Sequence, residues 1–220
     1  INEKECTASS SFVSVRWEDI DEQHFGYYVV ERRMENDNFI EVGRTSTTAG
    51  MHIENLNPNT TYIFRVVAYD DLGNRGVVSD TIELATISDT VSPVIQSFYP
   101  ASSAFSSEIN IEISAVDNIA VDRLVLRYSY DEGEEKKWTD LATVKVENPI
   151  PSQKISYTFD VSEMPEGEFF VEAVVYDIAG NVSKPCINAF KVDRTPAEAI
   201  TNLKAIGNNG NVHLTWTISD

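Results

Sequence analysis

Short runs of alternating apolar and polar residues, each closed by Gly, Pro, Asn or Asp, constrain this chain more than any other feature. In "SEINIEISAVD" at 107–117, Ile109, Ile111, Ile113 and Ala115 alternate with Asn110, Glu112 and Ser114. The same pattern gives Val13, Val15 and Trp17 in "SFVSVRW", and Phe169, Val171, Ala173 and Val175 in "GEFFVEAVVYD". In "TTYIFRVVAYD" the row Tyr62, Phe64, Val66 and Ala68 alternates with Ile63, Arg65 and Val67. Successive side chains of a strand point to opposite faces, so each run predicts an antiparallel strand with one buried row. Helical periodicity is nearly absent. The predicted fold class is all-β, with inward rows closing on a second sheet to make β-sandwiches.

Internal repetition organises these strands. "ITNLKAIGNNGNVHLTWTISD" at 200–220 lies without a gap on "INEKECTASSSFVSVRWEDID" at 1–21, placing Val212 on Val13, Leu214 on Val15 and Trp216 on Trp17. A looser match places "MPEGEFFVEAVVYDIAGN" on "NPNTTYIFRVVAYDDLGN", with Asp177 on Asp70 and Gly180 on Gly73. Three units are therefore expected: a sandwich over 1–86, a related sandwich over 87–194, and over 195–220 the first two strands of another unit like the first. "ISDTVSPV" and "DRTPAEA" punctuate them as short linkers, which predicts an array with limited bending. The last two strands would form a hairpin turning at "NNG", and an isolated hairpin is at best marginally stable. Because the chain opens on Ile inside a strand pattern, it is expected to be a piece of a longer protein.

Composition narrows the function classes. The 42% hydrophobic fraction is enough for ordinary cores. With 17 basic and 35 acidic residues the formal charge is −18, so nucleic acid and anionic membrane surfaces are poor partners. No apolar run approaches the roughly 18 residues of a membrane helix. Cys6 and Cys186 lie in different units without metal-ligand spacing, and are expected to be small apolar strand residues rather than a bridge. His24, His52 and His213 are scattered, and neither a nucleophile elbow nor a phosphate-cradling loop occurs. No enzymatic activity is expected, and no catalytic, cofactor-binding or metal residue is assigned.

In residues 1–86, Trp17 closes the second strand run, "GYYVVERR" and "NFIEVGRTS" follow, and "LNPNTTY" supplies Leu56, Pro58, Thr60 and Tyr62. Through these stretches the segment resembles a fibronectin type III domain. The resemblance implies a tyrosine corner at Tyr62, whose hydroxyl bonds to upstream backbone. The tail at 195–220 is similar to the start of the same family. Residues 87–194 resemble bacterial immunoglobulin-like modules through "DTVSPVI", "AVDNIAVDRL" and "VYDIAGNVSKP", with Phe169 in the place of Tyr62. A phenylalanine has no hydroxyl, so that corner must rely on packing or on another donor.

The resemblance implies a non-catalytic spacer or presentation segment of a large extracellular, cell-surface bacterial protein. It would be monomeric, with the neighbouring domains of the same chain as partners. The competing expectation is a binding module, an adhesin or a carbohydrate-binding accessory domain, with polysaccharide or a surface protein as partner. Trp138, Tyr28 and Tyr130 are its candidate stacking residues. A eukaryotic receptor domain is the third reading. The scarcity of Cys in the second unit and the repeated Tyr-Asp-x-x-Gly-Asn argue against it.

The sharpest candidate for a site is acidic. An immunoglobulin-like topology places at one pole Asp89 from the linker, Asp117, Asn118 and Asp122 from one loop, and Asp177 and Asn181 from another. Calcium takes roughly six to eight oxygen ligands, which such a pole could supply. The bland reading is turn chemistry, because Asp and Asn bond to nearby backbone and Gly supplies positive φ. The sequons at 59–61 and 181–183 are read in the same way, as turn residues.

Overall fold

The structure, a computed structural model, describes residues 1–47, 49–101, 103–130 and 137–217. Their strands form five sheets, paired almost throughout antiparallel as the alternation requires. In the first unit β1 (Thr7–Ala8), β2 (Val13–Arg16) and β5 (Gly50–Ile53) make one sheet. Opposite it, β4 (Ile40–Thr45), β3 (Phe25–Arg33) and β6 (Thr61–Asp70) are continued by β7 (Arg75–Val78) and β8 (Ile82–Ala85), both on β6. Val13 and Val15 are fully buried, and Trp17 stands just beyond β2 with its ring edge on Tyr28 at 5.3 Å.

The second unit repeats the scheme. β9 (Val94–Tyr99), β11 (Glu108–Val116) and β14 (Ser152–Asp160) form one sheet. The other comprises β10 (Ala104–Phe105), β12 (Val121–Ser129), β13 (Thr139–Lys145), β15 (Gly167–Asp177) and β16 (Cys186–Val192). Every residue of the expected rows Ile109 to Ala115 and Phe169 to Val175 is buried. Burying a side chain of this size contributes about 1.5–3 kcal/mol, so these facing rows are the main force joining the sheets. The two units have separate cores, one against Cys6 and the other against Cys186, and both cysteines are free.

Strand β6 departs from simple alternation, because Ile63 and Val67 are buried as well as Tyr62, Phe64 and Val66. Val67 faces Val29 across one strand boundary and Val78 across the other, so neighbours on the outer face cover it. Beside them the Arg65 guanidinium lies 3.9 Å over the Phe39 ring and pairs with Glu31. Long side chains that keep their charge in water while covering apolar surface explain this second buried row.

The corners are held differently. In the first unit the Asn57 N–H donates to the Tyr62 hydroxyl at 2.9 Å, and the Leu56 N–H reaches the Ser11 carbonyl. The second unit keeps the latter bond as Val161 N–H to the Ser107 carbonyl, while Phe169 is buried and offers no acceptor. Its other donor is Arg194, whose guanidinium bonds to the carbonyls of Val161, Met164 and Ser106. A residue of the outgoing linker thus ties down the loop that a tyrosine secures in the first unit.

The last described strands, β17 (Thr201–Asn208) and β18 (Asn211–Thr217), form a two-stranded sheet through Asn209 and Gly210, both at positive φ. Val212, Leu214 and Trp216 are 50–68% exposed, because a lone hairpin has no second layer to cover its apolar row.

Tyr62→Phe should lower unfolding stability of the first unit by about 1 kcal/mol, by orphaning the Asn57 N–H. Arg194→Ala should lower the melting midpoint of the second unit and leave that of the first unchanged. Two-transition calorimetry reads both, and an Arg194→Ala protein with an unshifted upper and lower transition would remove the clasp.

Candidate acidic pole at the linker

The two Tyr-Asp-x-x-Gly-Asn stretches build one device. In the first, the Asp70 carboxylate accepts N–H bonds from Leu72 and Asn74 and a further bond from the Asn74 side-chain amide at 2.7 Å. In the second, Asp177 accepts from the Asn181 N–H at 2.8 Å and from its side-chain amide at 2.7 Å. Main-chain bonds from Asp to Asn and from Gly to Asp close both turns. Gly73 and Gly180 have φ of 84° and 92°, a conformation that an L side chain rarely adopts. The shared motif is therefore a turn clasp, as the repeated fold requires.

The surroundings of the two clasps differ. Beside the first, Asp71 faces His24 at 3.4 Å in an exposed position. Beside the second lie the incoming linker and the turn after β11. Asp89, Asp117 and Asp177 each bring one carboxylate oxygen within 4.8 Å of the others. Asp177 is 1% exposed and Asp89 8%, with Asp117 half-buried. The Asp117 carboxylate accepts the N–H groups of Ile119 and Ala120 through one oxygen, and Asp89 accepts from Val91 N–H and the Asn118 amide through one of its own. The remaining oxygens, Oδ2 of Asp89 and Oδ1 of Asp117, are buried with no hydrogen-bond partner.

Three of the expected residues take other roles. Asp122 pairs with Arg123 at 2.8 Å and is not one of the three converging carboxylates. Asp122 lies within β12, and its carboxylate is taken by the guanidinium of the next residue, which loop membership alone did not reveal. Asn118 and Asn181 approach as amide donors, to Asp89 Oδ1 and to Asp177 Oδ2. Asn181 also reaches the carbonyls of Asp89 and Val91 at 3.2 and 3.3 Å, bonding the linker to the turn.

Burial pushes the Asp117 carboxyl above the ordinary carboxylate range; its two N–H bonds oppose this, and the charges of Asp177 and Asp89 add to it. The Asp70 carboxyl moves the other way, held low chiefly by the Asn74 side chain and N–H. Carboxylates gathered at this separation and shielded from water repel one another, which makes a cation among them favourable. Among the described residues, this trio is the group that could hold a metal ion.

Other cavities carry less chemistry. One, of about 820 Å³, is an open depression near Trp17, Tyr28 and Val77. A cleft of about 340 Å³ lies between the Ser11–Phe12 and Glu54–Asn57 segments and the Asn118–Ala120 and Pro149–Pro151 segments. The aromatic candidates also divide. Tyr28 is 3% exposed and belongs to the core, its hydroxyl bonded to Asp19, so it offers no stacking face. Tyr130 is partly exposed against Phe169, and Trp138 is half-buried beneath Arg127.

The Asp70 clasp carries a pH signature. A carboxylate with a lowered folded pKa contributes stability that is present above its unfolded value and is lost as pH falls through the folded one. Carbon-detected titration should therefore place the Asp70 midpoint below the ordinary aspartate value. Asn74→Ala should return it toward that value.

The fibronectin type III domain model matches residues 4–83. No curated protein matches the chain in sequence. Among solved structures, the FN1–FN3 domains of chicken CNTN1 are 15% identical, with 96% of this chain and 72% of that one covered and a TM-score of 0.42. The fibronectin(III)-like modules of Clostridium thermocellum CbhA are 13% identical, covering 84% and 87%, with a TM-score of 0.36. The fn3 domain of human contactin 1 is 31% identical over 39% of this chain and 74% of that one, with a TM-score of 0.34. Fibronectin type III domains are non-catalytic modules, typical of extracellular multidomain proteins. The chain carries a fibronectin type III domain at residues 4–83, followed by a further β-sandwich of the immunoglobulin and fibronectin class.

Proposed function

We propose that this chain is a non-catalytic spacer and presentation segment of a large extracellular bacterial protein, holding other modules apart or away from a cell surface. The observation that carries this reading is the bonding of the linker from both sides. Ile87 is tied to the first unit through Ser9 and Asn59, and Asp89 to the second through Asn118 and Asn181. Only Ser88 stands between these two sets of bonds. A junction this short restricts the relative orientation of its neighbours, and restricted orientation is what a spacer needs.

The arrangement of strands suits the same task. Strands β11 and β12 have 9 residues each, which at the usual rise per residue gives a sandwich roughly 30 Å long. Two units in series would space their ends by roughly twice that length. The formal charge of −18 keeps such a segment soluble and self-repelling, which favours a monomer. Its partners in this reading are the adjoining domains of its own protein.

Small-angle scattering tests the proposal. An elongated particle with a maximum dimension of roughly 60 Å or more is expected. Two sandwiches packed side by side, no longer than one unit, would overturn it. The competing reading as a carbohydrate or surface-protein binder retains Trp138 and Tyr130. Binding on a glycan array that disappears in Trp138→Ala would replace the spacer by that reading.

A further inference from the structure

We propose that Asp89, Asp117 and Asp177 bind a calcium ion that fastens the incoming linker to the second sandwich. This deepens the spacer reading, but the binding chemistry stands without it. Three observations point to a cation. The carboxylate oxygens converge within 4.8 Å of one another. Two buried oxygens, one each from Asp89 and Asp117, lack any hydrogen-bond donor, and the side chain of Asp89 is more than nine-tenths buried. Donors would ordinarily be supplied to such groups, because an unsatisfied buried carboxylate oxygen is costly. These oxygens belong to two members of the converging trio, and among the described residues no ion pair joins Asp89, Asp117 or Asp177 to a basic side chain.

The donor set selects the ion. All three ligands are hard carboxylates, without the imidazole or thiolate that zinc or copper would favour. Calcium binds oxygen at roughly 2.3–2.6 Å, so two of its ligands can stand up to about 5 Å apart across the ion. Magnesium holds oxygens at roughly 2.0–2.1 Å in a strict octahedron and surrenders its water reluctantly, which suits this spacing less well. The side-chain amide of Asn118 takes Oδ1 of Asp89 and leaves its Oδ2 for the ion, whereas Asn181 bonds to both oxygens of Asp177, which would reach the ion through a remaining lone pair. Water supplies the rest of the coordination shell. Of the three ligands, Asp89 alone comes from the linker, and the ion would thus bond linker, first turn and second turn together.

The test is calorimetric melting of the full chain in calcium chloride and in chelator, with magnesium chloride as a third arm. Calcium should raise the midpoint of the second unit by about 5 °C or more at saturating concentration and leave the first unit unmoved. The Asp117→Asn variant keeps an acceptor for the Ile119 and Ala120 N–H groups while removing a charge. It should melt higher than the parent in chelator and lose the calcium response. Asp89→Asn should also lose the response, whereas Asp122→Asn and Asp70→Asn should retain it. A second unit whose midpoint is the same in millimolar calcium and in chelator would overturn the proposal. So would a calcium response that survives both Asp89→Asn and Asp117→Asn, or a magnesium response equal to the calcium one. If calcium binds and yet scattering shows a folded-back particle, the spacer reading fails and the site remains.

Discussion

Everything in the two sandwiches depends on the burial of facing apolar rows. Ile109, Ile111, Ile113 and Ala115 on one sheet and Phe169, Val171, Ala173 and Val175 on the other can leave water together only if β11 and β15 lie across from each other. That constraint fixes where the strands end. β11 ends at Val116 and β15 at Asp177, and the turns that follow them meet the linker at one pole. Core packing thus brings the turns of Asp117 and Asp177 to one pole, where Asn118 and Asn181 bond the Asp89 linker to them.

The buried rows were legible because period-two patterning maps directly onto a face, and nearly every row residue named from sequence is buried. The extra row of β6 was not, because covering Val67 depends on Val29, Val78 and long side chains contributed by other strands. Tyr28 illustrates the opposite error. Its alternation suggested an outward ring, but a β-bulge between Phe25 and Tyr27 shifts the register of β3, and Tyr28 packs on Trp17 and Phe25. One extra residue in a strand reverses the face that every later side chain occupies.

The site was partly legible. Family topology named six residues at the pole, and the structure brings Asp89, Asp117 and Asp177 together with Asn118 and Asn181 as orienting donors, while Asp122 turns to Arg123. Arg194 had no sequence signal of its own. The missing hydroxyl at Phe169 announced that something else must secure the corner, but only the fold shows that a residue of the outgoing linker does so. Both linkers are therefore bonded into the second unit, Asp89 at its entrance and Arg194 at its exit. In the proposed spacer reading, a module held at both ends would transmit orientation along an array. The paired acidic turns differ in the same sense: each is a clasp, and only the second has a linker to fasten.

The central claim is that the pole holds a cation. A crystal structure grown in calcium measures it most directly. The account predicts an anomalous difference peak between Asp89, Asp117 and Asp177, with carboxylate oxygens at about 2.3–2.6 Å and the previously unpartnered oxygens among the ligands. A map of crystals grown in calcium that lacks that peak would contradict it.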